Sequence, residues 1–271
     1  MHFLSIQKQI VSLANRFILT QAANLWASLI FGGMIFMVFA ATPNITLITD
    51  PKVLAIPIYD SQDTWVDLTK HNTIVYGPSP EVPNNKDYIY LRKTVYEKLV
   101  EAQSKLPKGL RFCLYEGYRS LALQKMIFEK QFSNVKKRHP DWSAHQLFIE
   151  TTKLVSPVVN QDESHNIPPH STGGAIDVYL INDDGEPIDM GIHPKDWMQD
   201  ADGILSLTAS EHISAAAKKN RQIMNNALTT VGFVNYPTEY WHWSYGDRYW
   251  AYVTGNPHAI YGNSFSPYVR R

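Results

Sequence analysis

Apolar side chains recur along this chain at two spacings, and each spacing predicts its own kind of element. Apolar residues three or four positions apart predict helices over 91–106, 121–135, 142–154 and 210–230. Short apolar or aromatic runs predict strands over 110–115, 175–181, 239–243 and 249–253. The last two strands are expected to form a hairpin. Helices that come mostly early and a hairpin-connected sheet that comes late predict an α+β fold, in which helices flank a core of antiparallel sheet.

The start of the chain has the pattern of an export leader. None of the first 49 residues is acidic, and Lys8 and Arg16 are the only Lys or Arg among them. Over 25–41 the chain is then apolar except for Ser28, which is typical of a signal peptide or of a membrane anchor. A buried core helix is the less favoured interpretation, because this segment leaves no polar face.

The leader suggests a division of the chain into three parts. We expect residues 1–41 to be a signal peptide or membrane anchor and residues 42–66 to be a linker and lead-in segment. Residues 67–271 then form one domain of ordinary size. The two basic residues would keep the leader's first end inside the cell, so this domain is expected outside the cytoplasm, periplasmic or secreted. Its one link to a membrane, the inner membrane, would be an uncleaved leader.

Composition narrows the chemistry that the domain can perform. Lys plus Arg and Asp plus Glu each number 25, and a net charge of zero argues against a nucleic-acid partner. Cys113 is the only cysteine, which excludes an intramolecular disulfide framework and a cysteine-based zinc finger. It lies in a predicted strand and is expected to be a packed side chain. Histidines and carboxylates therefore become the candidate functional groups.

Two segments combine histidine with carboxylate. His170 and Asp177 are separated by six residues that include two glycines, which allow a sharp turn before the strand over 175–181. Glu239 and His242 lie in a second segment, where an extended chain would place them on opposite faces, so a bulge or a helical kink is needed to bring them together. Together the segments offer two imidazoles, one carboxylate ligand and a spare carboxylate, as in a catalytic zinc site with one open position.

Alternatives to these ligands remain open from the spacing alone. His165 and His193 lie close enough in sequence to replace one of the two histidines. Arg119 stands in a third segment, Tyr115–Ser120, where a predicted strand leads into a helix. Its simplest structural explanation is an ion pair with Glu116.

The three segments together resemble the D-alanyl-D-alanine dipeptidases of the VanX type, zinc peptidases related to DD-carboxypeptidases and lysostaphin-like enzymes. The family's H-x-x-G-x-A-x-D pattern matches 170–177, its E-x-x-H pattern with an aromatic core matches 239–243, and its G-Y-R pattern matches 117–119. Pro168 replaces a family serine, and Ser120 replaces a family proline. The resemblance covers roughly residues 67–252.

The resemblance implies a fold, a metal and a set of roles. The domain over 67–271 is expected to be a zinc dipeptidase catalytic domain with a hedgehog and DD-peptidase-like fold, which hydrolyses the small D,D-dipeptide D-Ala-D-Ala. One Zn²⁺ per chain would be bound by His170, Asp177 and His242. Glu239 would be the general base, and Arg119 would stabilise the oxyanion. Asp196 follows the D-M-G segment and would bind the substrate's ammonium group.

Two other functions compete with this one. A D,D- or L,D-carboxypeptidase or endopeptidase that acts on whole peptidoglycan stem peptides would use related residues in the same compartment. A zinc-stabilised binding module without catalysis, as among hedgehog-like relatives, would need a metal site only. The presence of both Glu239 and Arg119 argues against the module, because a structural zinc site requires neither.

Overall fold

A five-stranded sheet is the centre of the fold in this computed structural model, which describes residues 45–265. The strands, in chain order, are β1 Trp65–Asp67, β2 Val75–Tyr76, β3 Tyr90–Arg92, β4 Leu110–Glu116, β5 Ala175–Asn182, β6 Val234–Tyr236 and β7 Glu239–Ser244. The five-stranded sheet has the order β2-β4-β5-β7-β6, while β1 and β3 form a separate antiparallel pair. The predicted leader over 1–41 lies outside the described residues.

Six helices accompany the strands within the described part of the chain. They are α1 Pro51–Leu54, α2 Lys93–Ser104, α3 Leu121–Arg138, α4 Ala144–Thr152, α5 Ala215–Thr230 and α6 Arg248–Thr254. The four helices predicted from apolar spacing are confirmed as α2 to α5. Ser120 and Ser143 cap α3 and α4 by accepting hydrogen bonds from the backbone of the first turn. None of the helices over residues 45–265 combines the length and apolar character needed to cross a membrane.

The two faces of the sheet carry different residues, because side chains alternate along a strand. Phe112 and Leu114 of β4 share the main core with Ile176 and Val178 of β5, and helices α2 and α5 pack onto this core. On the opposite face of the sheet, Cys113, Tyr115, Tyr179 and Ile181 form a smaller cluster. Asp177 lies between Ile176 and Val178 on β5, and its side chain points to this second face while theirs pack into the main core. The alternation therefore leaves one face of the sheet free to carry polar groups.

The predicted hairpin at the end of the chain is wrong. Residues 249–253 belong to helix α6 rather than to a strand, and Asp247 begins this helix by accepting a hydrogen bond from the backbone N–H of Trp250 at 2.9 Å. Strand β7 is already bordered by β5 and β6, so neither of its edges is open to a further strand. The sheet is also mixed rather than purely antiparallel, since β2 pairs with β4 in parallel.

The buried side of α3 is not purely apolar. Met126 is exposed, whereas the buried positions are Gln124, Ile127, Gln131 and Val135. These four follow a spacing of three or four residues, so the helix keeps its period but turns two glutamines inward. Gln124 contributes to the site described below.

Arg92 holds the segment before β1 against the rest of the fold. Its buried guanidinium donates hydrogen bonds to Asp60 Oδ2 at 3.0 Å and to the Asp63 carbonyl at 2.8 Å. It also donates to the Thr172 carbonyl at 2.9 Å, in the turn that precedes β5. Residues from Ile45 onward form one compact unit. The part of the predicted linker and lead-in segment that is described thus packs with the domain.

Candidate metal centre

Three predicted ligands meet at one point on the second face of the sheet. Asp177 on β5 is the cross-strand partner of His242 on β7, and His170 comes from the short turn Pro169–Thr172 before β5. His170 Nε2 lies 3.1 Å from His242 Nδ1 and 3.3 Å from Asp177 Oδ1, and His242 Nδ1 lies 3.1 Å from the same carboxylate oxygen. All three residues are buried.

The size of this triangle fits a zinc ion. Ligand bonds of about 2.0–2.1 Å in a tetrahedron place neighbouring donor atoms about 3.3–3.4 Å apart. The three observed separations, 3.1 to 3.3 Å, are close to that value. Among the described residues, this trio is the one cluster of histidine, cysteine or acidic side chains whose donor atoms could hold a metal ion. His165 and His193, the alternatives that spacing left open, are not in it.

The carbonyl of Gly117 orients the ring of His170. It lies 2.8 Å from His170 Nδ1, so Nδ1 carries the proton and the lone pair of Nε2 faces the other two donors. Glycine is required here, because an added Cβ would lie 2.6 Å from Leu91 Cδ2 and 2.7 Å from the carbonyl oxygen of Tyr88. The glycine of the G-Y-R segment thus orients the predicted ligand His170 as well as allowing the turn.

Gly173 makes the turn between His170 and β5 possible. Its φ of +72° lies in the left-handed region, and an added Cβ would overlap the Trp65 ring at 2.2 Å. The sharp turn predicted from the two glycines is therefore confirmed, and it carries the chain from His170 to Asp177 within eight residues.

A bulge in β7 brings Glu239 and His242 to the same site, which is one of the two possibilities, a bulge or a helical kink, that the sequence left open. Asn235 of β6 lies opposite Trp243 of β7, but the next residue, Tyr236, lies opposite Glu239, which is four positions from Trp243. The extra residues of β7 form the bulge. Asn235 Nδ2 donates to the carbonyls of Glu239 at 3.1 Å and His242 at 3.0 Å, which replaces ladder hydrogen bonds that the bulge removes. Sequence reasoning missed Asn235, and no local signal marks it.

The carboxylate of Glu239 is buried and held on one side only. Its Oε2 accepts a hydrogen bond from Trp241 Nε1 at 2.9 Å, Oε1 has no hydrogen-bond partner among residues 45–265, and the residue lines both cavities described below. Burial, followed by the negative charge of Asp177, raises the pKa of Glu239 well above its usual value. Burial also acts to raise the pKa of Asp177, but His170 and His242 outweigh it and lower that pKa. The environment thus pushes the two carboxylates toward different roles.

Arg119 is paired with Glu116 and also reaches the site. Its Nε donates to Glu116 Oε1 at 2.9 Å, its Nη2 donates to Glu116 Oε2, and its Nη1 donates to Gln124 Oε1 at 2.9 Å. The ion pair that sequence reasoning kept as an alternative is therefore present. It fixes the plane of the guanidinium, which leaves further N–H groups available to a ligand.

Two small cavities flank the donor triangle, and we name them the first and the second lobe. The first has a volume of about 30 Å³ and the second about 40 Å³, room for a few water molecules or small groups in each. Four residues line both lobes: Arg119, Leu154, Asp177 and Glu239. The buried donor triangle, a carboxylate and a guanidinium therefore share one enclosed space.

Comparison with known proteins assigns the family. A model for peptidase family M15, described as D-ala-D-ala dipeptidase, matches residues 82–259. The chain belongs to this family. It is also 25% identical over 225 residues to a D-alanyl-D-alanine dipeptidase of Synechocystis sp. (strain ATCC 27184 / PCC 6803 / Kazusa), which covers 76% of this chain and 91% of that protein.

More distant likenesses are found among solved structures. VanYB in complex with D-Alanine-D-Alanine is 18% identical, with a TM-score of 0.36, over 66% of this chain and 85% of that chain. The LD-carboxypeptidase LdcB is 18% identical, with a TM-score of 0.29, over 74% of this chain and 76% of that chain. The family match, rather than these likenesses, makes the protein a peptidase.

One predicted site residue of this peptidase lies away from the lobes. Asp196 is in the turn Pro194–Gln199, its carboxylate accepts a hydrogen bond from Gln199 at 3.1 Å, and it lines neither lobe. Its neighbour Trp197 does line the first lobe, as does Glu81 from the loop over 78–86. That loop is rich in Pro and Asn, and no motif in the sequence marks its glutamate as a site residue.

Proposed function

We propose that this peptidase is zinc-dependent and hydrolyses D-Ala-D-Ala, a dipeptide derived from peptidoglycan. The observation that carries the proposal is the buried donor triangle of His170, Asp177 and His242, with the free oxygen of Glu239 in the cavities beside it. Two imidazoles and one carboxylate are a ligand set that catalytic zinc sites use, with one position left for water or substrate.

The residues of the triangle would hold the metal, and the surrounding contacts would orient them. When bound, zinc supplies a Lewis acid that polarises the scissile carbonyl and makes water easier to deprotonate. Nε2 is the nitrogen of His170 that would bind the metal, because Nδ1–H donates a hydrogen bond to the Gly117 carbonyl. Asp177 is kept ionised by the two neighbouring imidazoles and can serve as an anionic ligand.

Glu239 is the general base in this proposal. Its Oε1 takes a proton from the attacking water, a bond forms between the water oxygen and the carbonyl carbon, and the C–N bond of the peptide then breaks. The same carboxylate returns the proton to the departing amine nitrogen, so no other proton carrier is required. Trp241 holds Oε2 in place during both transfers.

Arg119 stabilises the negative charge that develops on the carbonyl oxygen. Glu116 and Gln124 hold its guanidinium in one plane, so little reorganisation is needed when that charge appears. Since the Glu116 carboxylate is fully occupied by Arg119, it does not compete for the role of base. The separate base and oxyanion-stabilising group also favour an enzyme over a zinc-stabilised binding module.

The size of the lobes favours a dipeptide over a longer peptide. The lobes have volumes of only about 30 and 40 Å³, which suits the two ends of a small substrate. A D,D- or L,D-carboxypeptidase needs an open groove for the rest of the stem peptide. We place the reaction outside the cytoplasm, in the periplasm or secreted, because the leader over 1–41 has the pattern of a signal peptide or anchor.

Metal analysis and D-alanine release together test the proposal. The full-length chain, purified in detergent, should contain about one zinc per chain, and chelation should abolish release of D-alanine from D-Ala-D-Ala until zinc is restored. His170→Ala should lose the metal, whereas His145→Ala, which changes an exposed histidine, should keep it.

Three outcomes would contradict parts of the proposal. Full zinc content in His170→Ala would exclude this ligand set, and turnover that survives complete removal of metal would exclude zinc dependence. Release of D-alanine from N-acylated stem peptides but not from the free dipeptide would identify a carboxypeptidase instead. L-Ala-L-Ala serves as the control substrate for stereochemical selectivity.

A further inference from the structure

We infer that Glu81 binds the free ammonium group of the substrate and so makes the enzyme select peptides with an unblocked amino terminus. The inference rests on the proposed function, since it assigns a residue to substrate recognition at that same site. Glu81 lines the first lobe together with Asp177, Glu239 and Arg119, although it lies far from them in sequence. It also precedes, by one residue, the segment that the family model matches.

Trp197 holds the carboxylate of Glu81 toward the lobe. Its indole Nε1 donates to Glu81 Oε1 at 3.4 Å, and both residues line the same cavity. This is the one hydrogen bond to the Glu81 side chain within residues 45–265, so Oε2 has no protein partner there. The arrangement leaves one carboxylate oxygen available to a bound ligand.

The other acidic groups of the first lobe are already engaged. Glu116 is bound through both oxygens by Arg119, Asp177 belongs to the donor triangle, and Glu239 is held by Trp241. Glu81 forms no ion pair with a cation among the described residues. Burial raises the pKa of Glu81, and the charge of Arg119, which lines the same lobe, offsets this only in part, so a positive group bound in the lobe would stabilise the half-buried carboxylate.

The chemistry of the lobe points to an ammonium group. Aromatic rings of Trp197, Tyr115 and Trp241 line the lobe, and aromatic faces attract a cation as a carboxylate does. The lobe has a volume of about 30 Å³, which suits a small group such as the amino end of a small amino acid.

The second lobe is lined by different polar groups from the first, and this difference determines which end of the substrate binds in each lobe. Apart from Asp177 and Glu239, which border both lobes, no acidic residue within the described part of the chain lines it. Gln124 and Ser156 line it together with Arg119, and these groups can donate hydrogen bonds to a carboxylate. The dipeptide therefore binds with its ammonium in the first lobe and its carboxylate in the second.

Steady-state kinetics of matched variants test the assignment on the zinc-loaded, full-length enzyme. Glu81→Gln keeps the shape of the side chain and removes its charge, Glu81→Asp keeps the charge, and Asp196→Asn is the control at the position predicted from sequence. Glu81→Gln should raise KM for D-Ala-D-Ala at least about tenfold with kcat changed less than about threefold. Glu81→Asp should fall between wild type and Glu81→Gln.

N-acetyl-D-Ala-D-Ala separates recognition of the amine from the shape of the lobe. Wild type should prefer the free dipeptide. Glu81→Gln should lose most of that preference, because the removed carboxylate contacts the ammonium group, which the acetylated substrate lacks. The inference would be overturned if KM is unchanged in Glu81→Gln, or if KM rises equally for both substrates. It would also be overturned if Asp196→Asn, rather than Glu81→Gln, shows the expected rise in KM.

Binding of a phosphinate analogue of D-Ala-D-Ala, with and without its amino group, keeps the two proposals distinguishable. If wild type releases no D-alanine, the proposed function fails, but calorimetry still measures whether the amino group adds affinity. Weaker binding of the amino-bearing analogue to Glu81→Gln alone would support the role of Glu81. Equal binding to wild type and Glu81→Gln would overturn it.

Discussion

The carbonyl oxygen of Gly117 accepts a hydrogen bond from Nδ1 of His170 at 2.8 Å. This contact links the G-Y-R segment after β4 to the turn before β5, two parts of the chain that are 53 positions apart. Arg119 strengthens the link, since its carbonyl accepts a hydrogen bond from the Ser171 hydroxyl at 2.8 Å. The position of the metal ligand and the position of the arginine are therefore set by the same contacts.

Replacement of Gly117 by alanine should weaken metal binding without removing a ligand. The new Cβ would clash with Leu91 and with the Tyr88 carbonyl. The segment that follows β4 would have to shift, and this shift would break the hydrogen bond between the residue 117 carbonyl and His170. We expect zinc affinity to fall about 10- to 100-fold, as measured by competition with a chelator. Gly77→Ala is the control, because a Cβ there has ordinary contacts at 3.5 Å or more. Equal affinities of Gly117→Ala and wild type would contradict the orienting role.

Replacement of Glu239 by glutamine should separate metal binding from catalysis. The amide can still accept a hydrogen bond at the position of Oε2, but it cannot take a proton from water. Zinc content should remain near one per chain while kcat falls at least about 100-fold. Both quantities are measured on the same preparation. Near-normal turnover would mean that another group activates the water.

Replacement of Asn235 by aspartate should disturb the bulge from outside the site. The variant turns an amide that donates to the carbonyls of Glu239 and His242 into an acceptor that repels them. We expect a loss of about 1–3 kcal/mol in the free energy of unfolding, together with reduced kcat/KM. Urea unfolding and kinetics measure the two effects. Asn226→Asp, on the exposed side of α5, is the matched control, and an equal change in both variants would disprove a specific role for Asn235.

The pair of Asp60 and Arg92 should make part of the stability depend on pH. Burial acts to raise the pKa of Asp60, but hydrogen bonds from Ser264 and the backbone, with the charge of Arg92, lower it below its ordinary value of 3.8. The stabilisation is therefore complete above about pH 4 and is lost as the pH falls through the lower pKa of the folded protein. Asp60→Asn should lack it at every pH.

Urea unfolding of the metal-free protein at pH 7 and pH 3 tests this dependence. We expect Asp60→Asn to be less stable than wild type by about 1–2 kcal/mol at pH 7, a value that allows for partial solvent screening of Asp60. The difference should shrink at pH 3. Asp184→Asn, in an exposed turn, controls for the general effect of removing an acid. A difference that stays constant between the two pH values would exclude the ionised carboxylate as its source.

The leader should determine where the enzyme is found. If it is cleaved, the mature chain should begin close to Ala41 or Thr42 and be recovered without detergent. If it is retained, the full-length chain should sediment with membranes. N-terminal sequencing after cell fractionation distinguishes these results. An intact chain recovered from the cytoplasm without membranes would refute export in either form.

The sequence by itself was sufficient for the elements and motifs whose causes are local. Helices α2 to α5 and strands β4 and β5 follow from the spacing of apolar residues, and serine caps begin α3 and α4. The glycines before β5 likewise predicted a sharp turn. The three-residue spacing of Glu239 and His242 predicted a bulge or a helical kink, because side-chain direction along a strand depends on residue count alone.

Only the tertiary structure decided the features that depend on which residues become neighbours. Residues 249–253 have the composition of a strand, yet they form a helix because both edges of β7 are occupied. Asn235 donates hydrogen bonds to a bulge on the adjacent strand, and a loop brings Glu81 to the first lobe. Such contacts join residues that are distant in sequence, so no local periodicity, cap or motif encodes them, and they exist only once the chain has packed.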